Sequence, residues 1–219
     1  MTEVRSGIKN LLVAPIVYDS LQRALGAYAW RRRDLQRYVV PNLRKGARVL
    51  DIGCGTAAVV DMLPQDIHYY GFDRNSRYID HARRKFGGAR ASFVCDDFTG
   101  VAQAGGESFD LILVLGLVHH LDDGEVAHLM NMASSALASD GMLITLDPLR
   151  LPGQSAFARF LVENDRGKNV RTAAEYVRLA ESAFPSVEVF PDQSPLRLPY
   201  SGITLRCSFG TSALLTRAG

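Results

Sequence analysis

The chain has 219 residues, of which 47% are hydrophobic and 22% are charged, a composition typical of one globular domain with a substantial core. Its 25 lysines and arginines against 23 acidic residues leave a net charge of +2, which gives no broad case for binding nucleic acid or a membrane surface. No run reaches the ~18 apolar residues that span a bilayer. The three cysteines form no CxxC pair, which excludes a zinc ribbon and favours reduced thiols in the cytoplasm.

Residues 1–45 predict a helical N-terminal cover, because apolar side chains recur there at helical spacing. Pro41 and Gly46 end this segment. Within it, Arg31, Arg32 and Arg33 predict an exposed helix face rather than a nucleic-acid patch. The apolar positions are Tyr18, Leu21, Leu25, Leu35, Tyr38 and Val39.

Short apolar runs then alternate with amphipathic helices, which predicts an α/β fold with a doubly wound, mostly parallel sheet. The continuous run Leu111–Leu115 indicates strands that are buried on both faces. The last two runs have no helical pattern between them and predict an antiparallel hairpin. Seven strands are predicted, at residues 48–52, 67–73, 92–95, 109–115, 142–146, 187–190 and 203–209.

Capping residues predict where three of the helices begin. The first of these helices is predicted to begin at Asn75 or Ser76. The second begins at Asp122 or Asp123, and its apolar face extends to Leu137. The third begins at Thr172, which forms a capping box with Glu175. Residues 148–171 have weak periodicity and predict an insertion over the carboxyl edge of the sheet. We therefore expect one domain over residues 46–219, to which residues 1–45 add a cover.

The strongest motif is a glycine turn at residues 49–57, where the first strand is predicted to lead into a first helix. Glycines permit a tight turn and let a ligand approach the backbone. The glycines alone are ambiguous, because Gly53, Gly55 and Ala58 also satisfy the G-x-G-x-x-A pattern of dinucleotide-binding proteins. Asp73, at the end of the second strand, can accept hydrogen bonds from ribose hydroxyls or cap the next helix. Together, the glycine turn and Asp73 therefore indicate only that the ligand contains a ribose.

Other acidic residues distinguish a dinucleotide, which carries a pyrophosphate, from a ribose-containing ligand without one. Asp51 lies on the first strand just before the turn, where its carboxylate would repel a pyrophosphate but suits an amino group, or only caps the turn. Asp96 and Asp97 end the third strand, where one of them can accept from an adenine amino group or remain a loop acid. An adenosine ligand with an amino group and no phosphate is therefore favoured.

These motifs together resemble the class I S-adenosylmethionine-dependent methyltransferases over about residues 46–147. Residues 49–56 resemble motif I, residues 70–73 the second-strand acid, residues 93–98 the adenine-binding turn, and residues 109–121 and 141–144 the fourth and fifth strands. Ala57 departs from the family, which has a third glycine there, and we expect binding to survive the added methyl. The resemblance implies a Rossmann-like methyltransferase fold, S-adenosylmethionine as cofactor, and cofactor contacts from Asp51, Gly53, Cys54, Gly55, Asp73, Arg74, Asp96, Asp97, Phe98 and Leu115. It favours Asp97 over Asp96, and the thiol of Cys54 is expected to fill space rather than act as a nucleophile.

Candidate catalytic residues follow the fourth and fifth strands. His119 and His120 lie where the rim of the site is expected, and either can transfer a proton, line the site or cap the next helix. Asp147 ends the fifth strand, where it can orient a substrate or satisfy the backbone before Pro148. An oxygen acceptor would need such a base, whereas a carbon or neutral nitrogen acceptor would not.

The resemblance implies methyl transfer to a small molecule by in-line displacement, with no metal, because the fourth strand ends at Leu115 and Gly116 without an acid. The motifs that DNA methyltransferases carry are missing, and a protein substrate is less favoured. The alternatives are an accessory protein that binds the cofactor without catalysis and, less favoured, a nicotinamide-dependent oxidoreductase. The basic residues of the insertion suit an anionic acceptor or form a solvated lid; they are Arg150, Arg166, Lys168 and Arg171.

Overall fold

The computed structural model describes residues 19–20, 23–24, 26–96, 108–155, 169–192 and 201–210. The helices are α1 (Ala27–Tyr38), α2 (Ser76–Phe86), α3 (Asp123–Ala136) and α4 (Ala173–Glu181). The strands are β1 (Arg48–Ile52), β2 (His68–Asp73), β3 (Ala91–Cys95), β4 (Phe109–Leu115), β5 (Leu137–Pro148), β6 (Ser186–Asp192) and β7 (Gly202–Ser208). Short 3-10 segments lie at Val40–Asn42, Ala58–Met62 and Val118–His120.

The strands of the described residues form one seven-stranded sheet in the order β3-β2-β1-β4-β5-β7-β6. Neighbouring strands from β3 to β5 are parallel, and β7 is antiparallel to both β5 and β6. This confirms the predicted sheet and its terminal antiparallel hairpin. The strand order reverses between β1 and β4, and the carboxyl ends of the strands at such a switch point leave a crevice in which ligands bind.

Burial on both faces of the sheet explains why β4 is continuously apolar. Leu111 and Leu113 pack into a cluster with Leu35 of α1 and residues of α2, whereas Ile112 and Val114 pack on the other face with α3 and α4. Successive side chains of a strand point to opposite faces, so a strand between two helical layers must be apolar at every position.

Helix α1 is attached to strand β7 through the buried carboxylate of Asp34. Its Oδ2 accepts from Trp30 Nε1 at 3.0 Å and from Thr204 Oγ1 of β7 at 2.7 Å. Arg33 bridges Asp34 to Asp192 of β6. These contacts tie the described part of the predicted cover to the last two strands. Residues 1–18 of that cover lie outside the described residues.

The predicted helix starts are confirmed by their caps. The side chain of Asn75 accepts from Arg77 N at 3.0 Å, and Asp122 and Thr172 each form a capping box. No helix in the described part of the chain has the length and apolarity that crossing a bilayer requires.

Two predicted helix bounds are wrong. The helix expected after the glycine turn is only the 3-10 segment Ala58–Met62, because Leu63 precedes Pro64 and takes an extended conformation there. Leu137, expected on the face of α3, instead begins β5, which pairs it with Phe109. Most of the predicted insertion, residues 156–168, lies outside the described residues.

Candidate active site

The glycine turn lies at the carboxyl end of β1 and is bonded to β2. The amides of Gly53 and Cys54 both donate to the carbonyl of Phe72, at 2.8 and 2.9 Å. Gly53 and Gly55 have φ angles of 75° and 56°, in the left-handed region that glycine enters without a steric penalty. The sequence therefore supplies glycine where the backbone needs it.

Ala57 takes the same left-handed conformation, with φ 57° and ψ 30°. An alanine pays roughly 1–2 kcal/mol for this conformation, a cost that glycine avoids. Its methyl group is completely buried in the cluster that contains Val59 and Val60, so burial offsets part of the strain. The effect of this departure on cofactor binding stays a prediction.

Asp73 connects the end of β2 to the glycine turn. Its Oδ2 accepts from Gly55 N at 2.9 Å, and its Oδ1 accepts from Asn75 N at 2.8 Å. Because the cap of α2 is the side chain of Asn75, Asp73 supports the turn rather than capping the helix directly. Each carboxylate oxygen can accept a second hydrogen bond, so the group keeps acceptors for a ligand.

Asp51 is buried beneath the turn and accepts a short hydrogen bond from the hydroxyl of Tyr69 on β2. Burial raises the pKa of Asp51 from its usual 3.8 to about 7, while the Tyr69 hydrogen bond and the positive charge of Arg31 act in the opposite direction. Tyr69 was missed by the sequence reasoning, because it fits the apolar pattern of β2. The carboxyl group of Asp51 can thus gain or lose a proton near neutral pH.

A pocket with an empty volume of about 540 Å³ opens over the turn. Among the residues predicted to bind the cofactor, those that line it are Asp51, Gly53, Cys54, Gly55 and Leu115. Cys54 is half-buried, and burial raises the pKa of its thiol well above the usual value, as expected of a filler rather than a nucleophile.

The N-terminal segment, which was predicted as a cover, also lines this pocket, through residues that the sequence reasoning did not name. Asp19, Arg23, Tyr28 and Arg31 all line it. The hydroxyl of Thr56 in the turn donates to Asp19 Oδ1 at 2.5 Å, so this segment and the turn are hydrogen-bonded. The prediction of an exposed arginine run is wrong for Arg31, which is half-buried and faces the pocket.

His119 and Asp147 are brought together at the carboxyl ends of β4 and β5. His119 Nδ1 lies 2.7 Å from Asp147 Oδ1, which also accepts from the His119 backbone amide at 3.1 Å. Both side chains are buried, whereas His120 is exposed and its ring lies against that of His119, with centroids 4.1 Å apart. Asp147 therefore positions His119. Neither of its predicted roles, to orient a substrate or to satisfy the backbone before Pro148, described this contact.

The turn that carries His119 is held from outside by Arg171. The buried guanidinium of Arg171 donates to the carbonyls of Val118, Asn169 and Leu121 and pairs with Asp123. The amide of Asn169 donates to the carbonyl of His119 at 3.0 Å. Arg171 is therefore a structural residue, not part of an anion site or a solvated lid.

The remaining predicted residues are less closely placed. Arg150 pairs with Glu175 at 3.0 Å, so it is a second arginine, after Arg171, that does not fit the predicted role of binding an anionic acceptor. Arg74 and Asp96 are exposed at the ends of β2 and β3. Asp97, Phe98, Arg166 and Lys168 lie outside the described residues.

Comparisons with known proteins find methyltransferases as relatives of this chain. A family model described as a methyltransferase domain matches residues 49–141, which contain the glycine turn, Asp73 and His119. The ubiquinone biosynthesis O-methyltransferase of Sinorhizobium fredii is 30% identical over 126 residues, or 57% of this chain and 50% of that protein. Over residues 49–141 the chain is therefore similar to S-adenosylmethionine-dependent methyltransferases. It spans about half the length of this curated relative.

Solved structures show the same methyltransferase fold. Mitomycin 7-O-methyltransferase MmcR superposes with a TM-score of 0.65 at 19% identity, over 93% of this chain and 59% of its own. A TehB-like S-adenosylmethionine-dependent methyltransferase from Corynebacterium glutamicum gives a TM-score of 0.59 at 19% identity, over 89% and 97% of the two chains. The similarity to methyltransferases agrees with the acid of β1 beside the glycine turn, which a dinucleotide-binding site would not favour.

Proposed function

We propose that this chain transfers the methyl group of S-adenosylmethionine to an oxygen atom of a small-molecule acceptor, by in-line displacement. The observation that carries the proposal is the position of the His119–Asp147 pair beside a glycine turn of the methyltransferase family. The curated relative and the mitomycin neighbour are named as O-methyltransferases, which supports an oxygen acceptor. The unpaired thiols of all three cysteines fit a reaction in the cytoplasm.

The pocket suits this cofactor by its charges and by the exposed backbone of its turn. S-adenosylmethionine carries an ammonium group, a ribose and an adenine, but no phosphate. Asp51 provides an acid for the ammonium, the left-handed turn lets the ligand approach the backbone, and Asp73 keeps acceptors for the ribose hydroxyls. The adenine is assigned to Asp96 or Asp97 with Phe98, as the sequence predicted, and Arg74 and Leu115 complete the proposed cofactor site.

The chain's own contribution to the reaction is to remove a proton and exclude water. The bound cofactor supplies an electrophilic methyl group on its sulfonium. A neutral His119 that donates from Nδ1 to Asp147 has its acceptor lone pair on Nε2, and this atom can take the proton of an acceptor hydroxyl. Asp147 fixes the ring and stabilises the imidazolium that forms. His120 lies against this ring, and we assign it to the same acceptor site.

Calorimetric titration with S-adenosylhomocysteine, with NAD and NADP in parallel, tests the cofactor. Micromolar binding of S-adenosylhomocysteine alone is expected. A panel of phenols and aliphatic alcohols, assayed with methyl-labelled S-adenosylmethionine, then tests the acceptor atom. Binding of a nicotinamide nucleotide alone would overturn the proposal, and label on nitrogen or carbon acceptors only would overturn the assignment to oxygen.

Asp73→Ala is expected to weaken S-adenosylhomocysteine binding by roughly 1–3 kcal/mol, because a charged hydrogen-bond partner is lost. The variant also loses the bond from Gly55 N that supports the turn. Calorimetry measures the change, and Asp80→Ala, which removes an exposed acid from α2, serves as the matched control. A folded Asp73→Ala protein of unchanged affinity would refute the placement of the ribose.

S-adenosylhomocysteine binding is expected to weaken about tenfold between pH 7.5 and pH 5.5, because its ammonium favours the ionised form of Asp51. The pKa of Asp51 is raised, so the free folded protein holds this proton up to about pH 7, and binding must release it. For the same reason, this group's contribution to folding stability falls as the pH rises from about 4 towards 7.

Calorimetry across this pH range checks the prediction with two variants. Asp51→Asn is expected to flatten the profile. Tyr69→Phe is expected to move the midpoint to higher pH, because the Tyr69 hydrogen bond lowers the pKa of Asp51. A wild-type affinity that does not change with pH would show that Asp51 is not coupled to the ammonium.

A further inference from the structure

Arg171 is a buried arginine whose five N–H donors are all used, and its side chain is only 7% exposed. Nη1 donates to the carbonyls of Val118 and Asn169, both at 3.1 Å, and Nη2 donates to the carbonyl of Leu121 at 2.8 Å. Nε and Nη2 both donate to Asp123 Oδ1, at 3.0 and 2.7 Å. This set of bonds requires the planar fork of a guanidinium, because a lysine has three donors on one atom.

The turn that carries His119 is bonded mainly to this arginine and its neighbour. The carbonyls of Val118 and Leu121 accept from the Arg171 side chain, and the carbonyl of His119 accepts from Asn169 N at 3.0 Å. Three of the four carbonyls of residues 118–121 are therefore held from outside the turn. Because a 3-10 segment of three residues has few hydrogen bonds of its own, these outside bonds decide where the imidazole ring lies.

The backbone of Arg171 is bonded to the chain that follows Asp147. Arg150 N donates to the carbonyl of Arg171 at 2.9 Å, and Leu149 forms an isolated parallel bridge with Arg171. These two partners come two and three residues after Asp147. Arg171 thus connects the two halves of the pair, since its side chain binds the turn of His119 and its backbone binds the continuation of β5.

Asp147 does not fix the ring of His119 by itself. Its Oδ1 accepts from both Nδ1 and the amide of His119, whereas its Oδ2 is buried and has no hydrogen-bond partner among the described residues. A buried acceptor without a donor is unfavourable, and the terminal torsion of an aspartate is soft. If the turn moved, the carboxylate would rotate towards another donor or a water molecule, and the bond to Nδ1 would be lost. The position of the turn therefore keeps the proton on Nδ1.

We propose that Arg171 is a positioning residue for the His119 base. It holds the turn where Nδ1 donates to Asp147, and this leaves Nε2 as the atom that takes the proton of the acceptor. The inference rests on the proposed function, in which His119 is the base. It goes beyond a role in stability, because a residue that only stabilises the fold would leave the tautomer of the His119 ring unchanged.

Nuclear magnetic resonance of the histidine rings tests this without any turnover. Long-range proton–nitrogen correlation spectra, recorded at a pH where the rings are neutral, identify the nitrogen that carries the proton. The chain has five histidines, and the signals of His119 are those that disappear in His119→Ala. We expect the wild-type ring to be protonated on Nδ1 alone.

Arg171→Met keeps the apolar stem of the side chain without its donors, and we expect its spectra to show both tautomers of the His119 ring. Arg178→Met is the matched control, because Arg178 pairs with the same Asp123 at 3.5 Å but is 71% exposed. We expect this control to keep the wild-type tautomer. Arg171→Lys keeps the charge and at most three donors, so it should fall between the two, and it replaces Arg171→Met if that variant does not fold.

Turnover gives a second measurement. Arg171→Met is expected to lower kcat about 10²-fold with the first acceptor that the labelled-methyl panel identifies, the usual effect of a small misplacement of a catalytic group. The affinity for S-adenosylhomocysteine should not change, because Arg171 does not line the cofactor pocket.

A folded Arg171 variant whose His119 ring keeps the wild-type tautomer would overturn the proposal. So would a wild-type ring that already shows both tautomers. Wild-type protein that binds no S-adenosylhomocysteine would instead overturn the proposed function, and the ring spectra do not depend on that result.

Discussion

His119→Ala is expected to lower turnover of an oxygen acceptor by about 10²–10⁴-fold, the range for a lost general base. The affinity for S-adenosylhomocysteine is expected to change little, because His119 lies beyond the residues that line the cofactor pocket. The measurement is the initial rate of S-adenosylhomocysteine release with the first acceptor that the labelled-methyl panel identifies. Circular dichroism checks that removal of this buried ring leaves the protein folded.

Asp147→Asn tests the role of the Asp147 carboxylate while leaving the proposed base, His119, in the protein. It keeps the size of the side chain but removes the carboxylate that accepts from His119 Nδ1 and from the His119 amide. Turnover should fall and its pH profile should move, since the charge that stabilises the imidazolium is gone. The control is His128→Ala, which removes an exposed histidine of α3. A His119→Ala variant with wild-type turnover would leave the pair a packing contact and point to an acceptor that arrives deprotonated.

Gly202→Ala is expected to lower the free energy of unfolding by about 3 kcal/mol, at the upper end of the usual cost of overpacking. A Cβ atom at residue 202 would lie 2.1 Å from Trp30 Cη2 and 2.2 Å from Trp30 Cζ2. The indole cannot turn away without breaking its bond to Asp34, the buried group that also holds Thr204. The contact between α1 and β7 therefore depends on a missing side chain.

Urea unfolding monitored by tryptophan fluorescence measures this change, since Trp30 is the single tryptophan of the chain. Gly210→Ala is the matched control, because nothing lies within 4 Å of a Cβ atom built there. In a Trp30→Ala background, where unfolding is followed by circular dichroism because no tryptophan is left, the Gly202→Ala substitution should become nearly neutral. A Gly202→Ala protein as stable as Gly210→Ala would contradict this packing of α1.

Local signals in the sequence were sufficient for the order and type of most elements. The apolar run of β4 predicted its bounds, because burial on both faces is decided by the residues of the strand itself. Asn75, Asp122 and Thr172 predicted helix starts, because a cap bonds to an amide two or three residues away. The glycine turn and Asp73 were equally local and indicated the adenosine ligand.

Some residue roles were decided only by the tertiary structure, because they depend on contacts between residues that are distant in the chain. Asp147 was an isolated strand end until β5 paired with β4 and placed it against His119. Arg171 counted as one of several basic residues until its guanidinium was found buried against the carbonyls of the His119 turn.

The sequence predicted an N-terminal cover but not which side chains of α1 line the pocket. Arg31, Arg32 and Arg33 are chemically identical neighbours, and only the docking of α1 through Trp30 and Asp34 turns the first of them towards the cofactor turn. Local sequence determined which elements form and predicted which residues bind the adenosine. The packing of elements far apart in the chain determined which charges face the ligand, because an ion pair or a buried contact needs both of its partners in place.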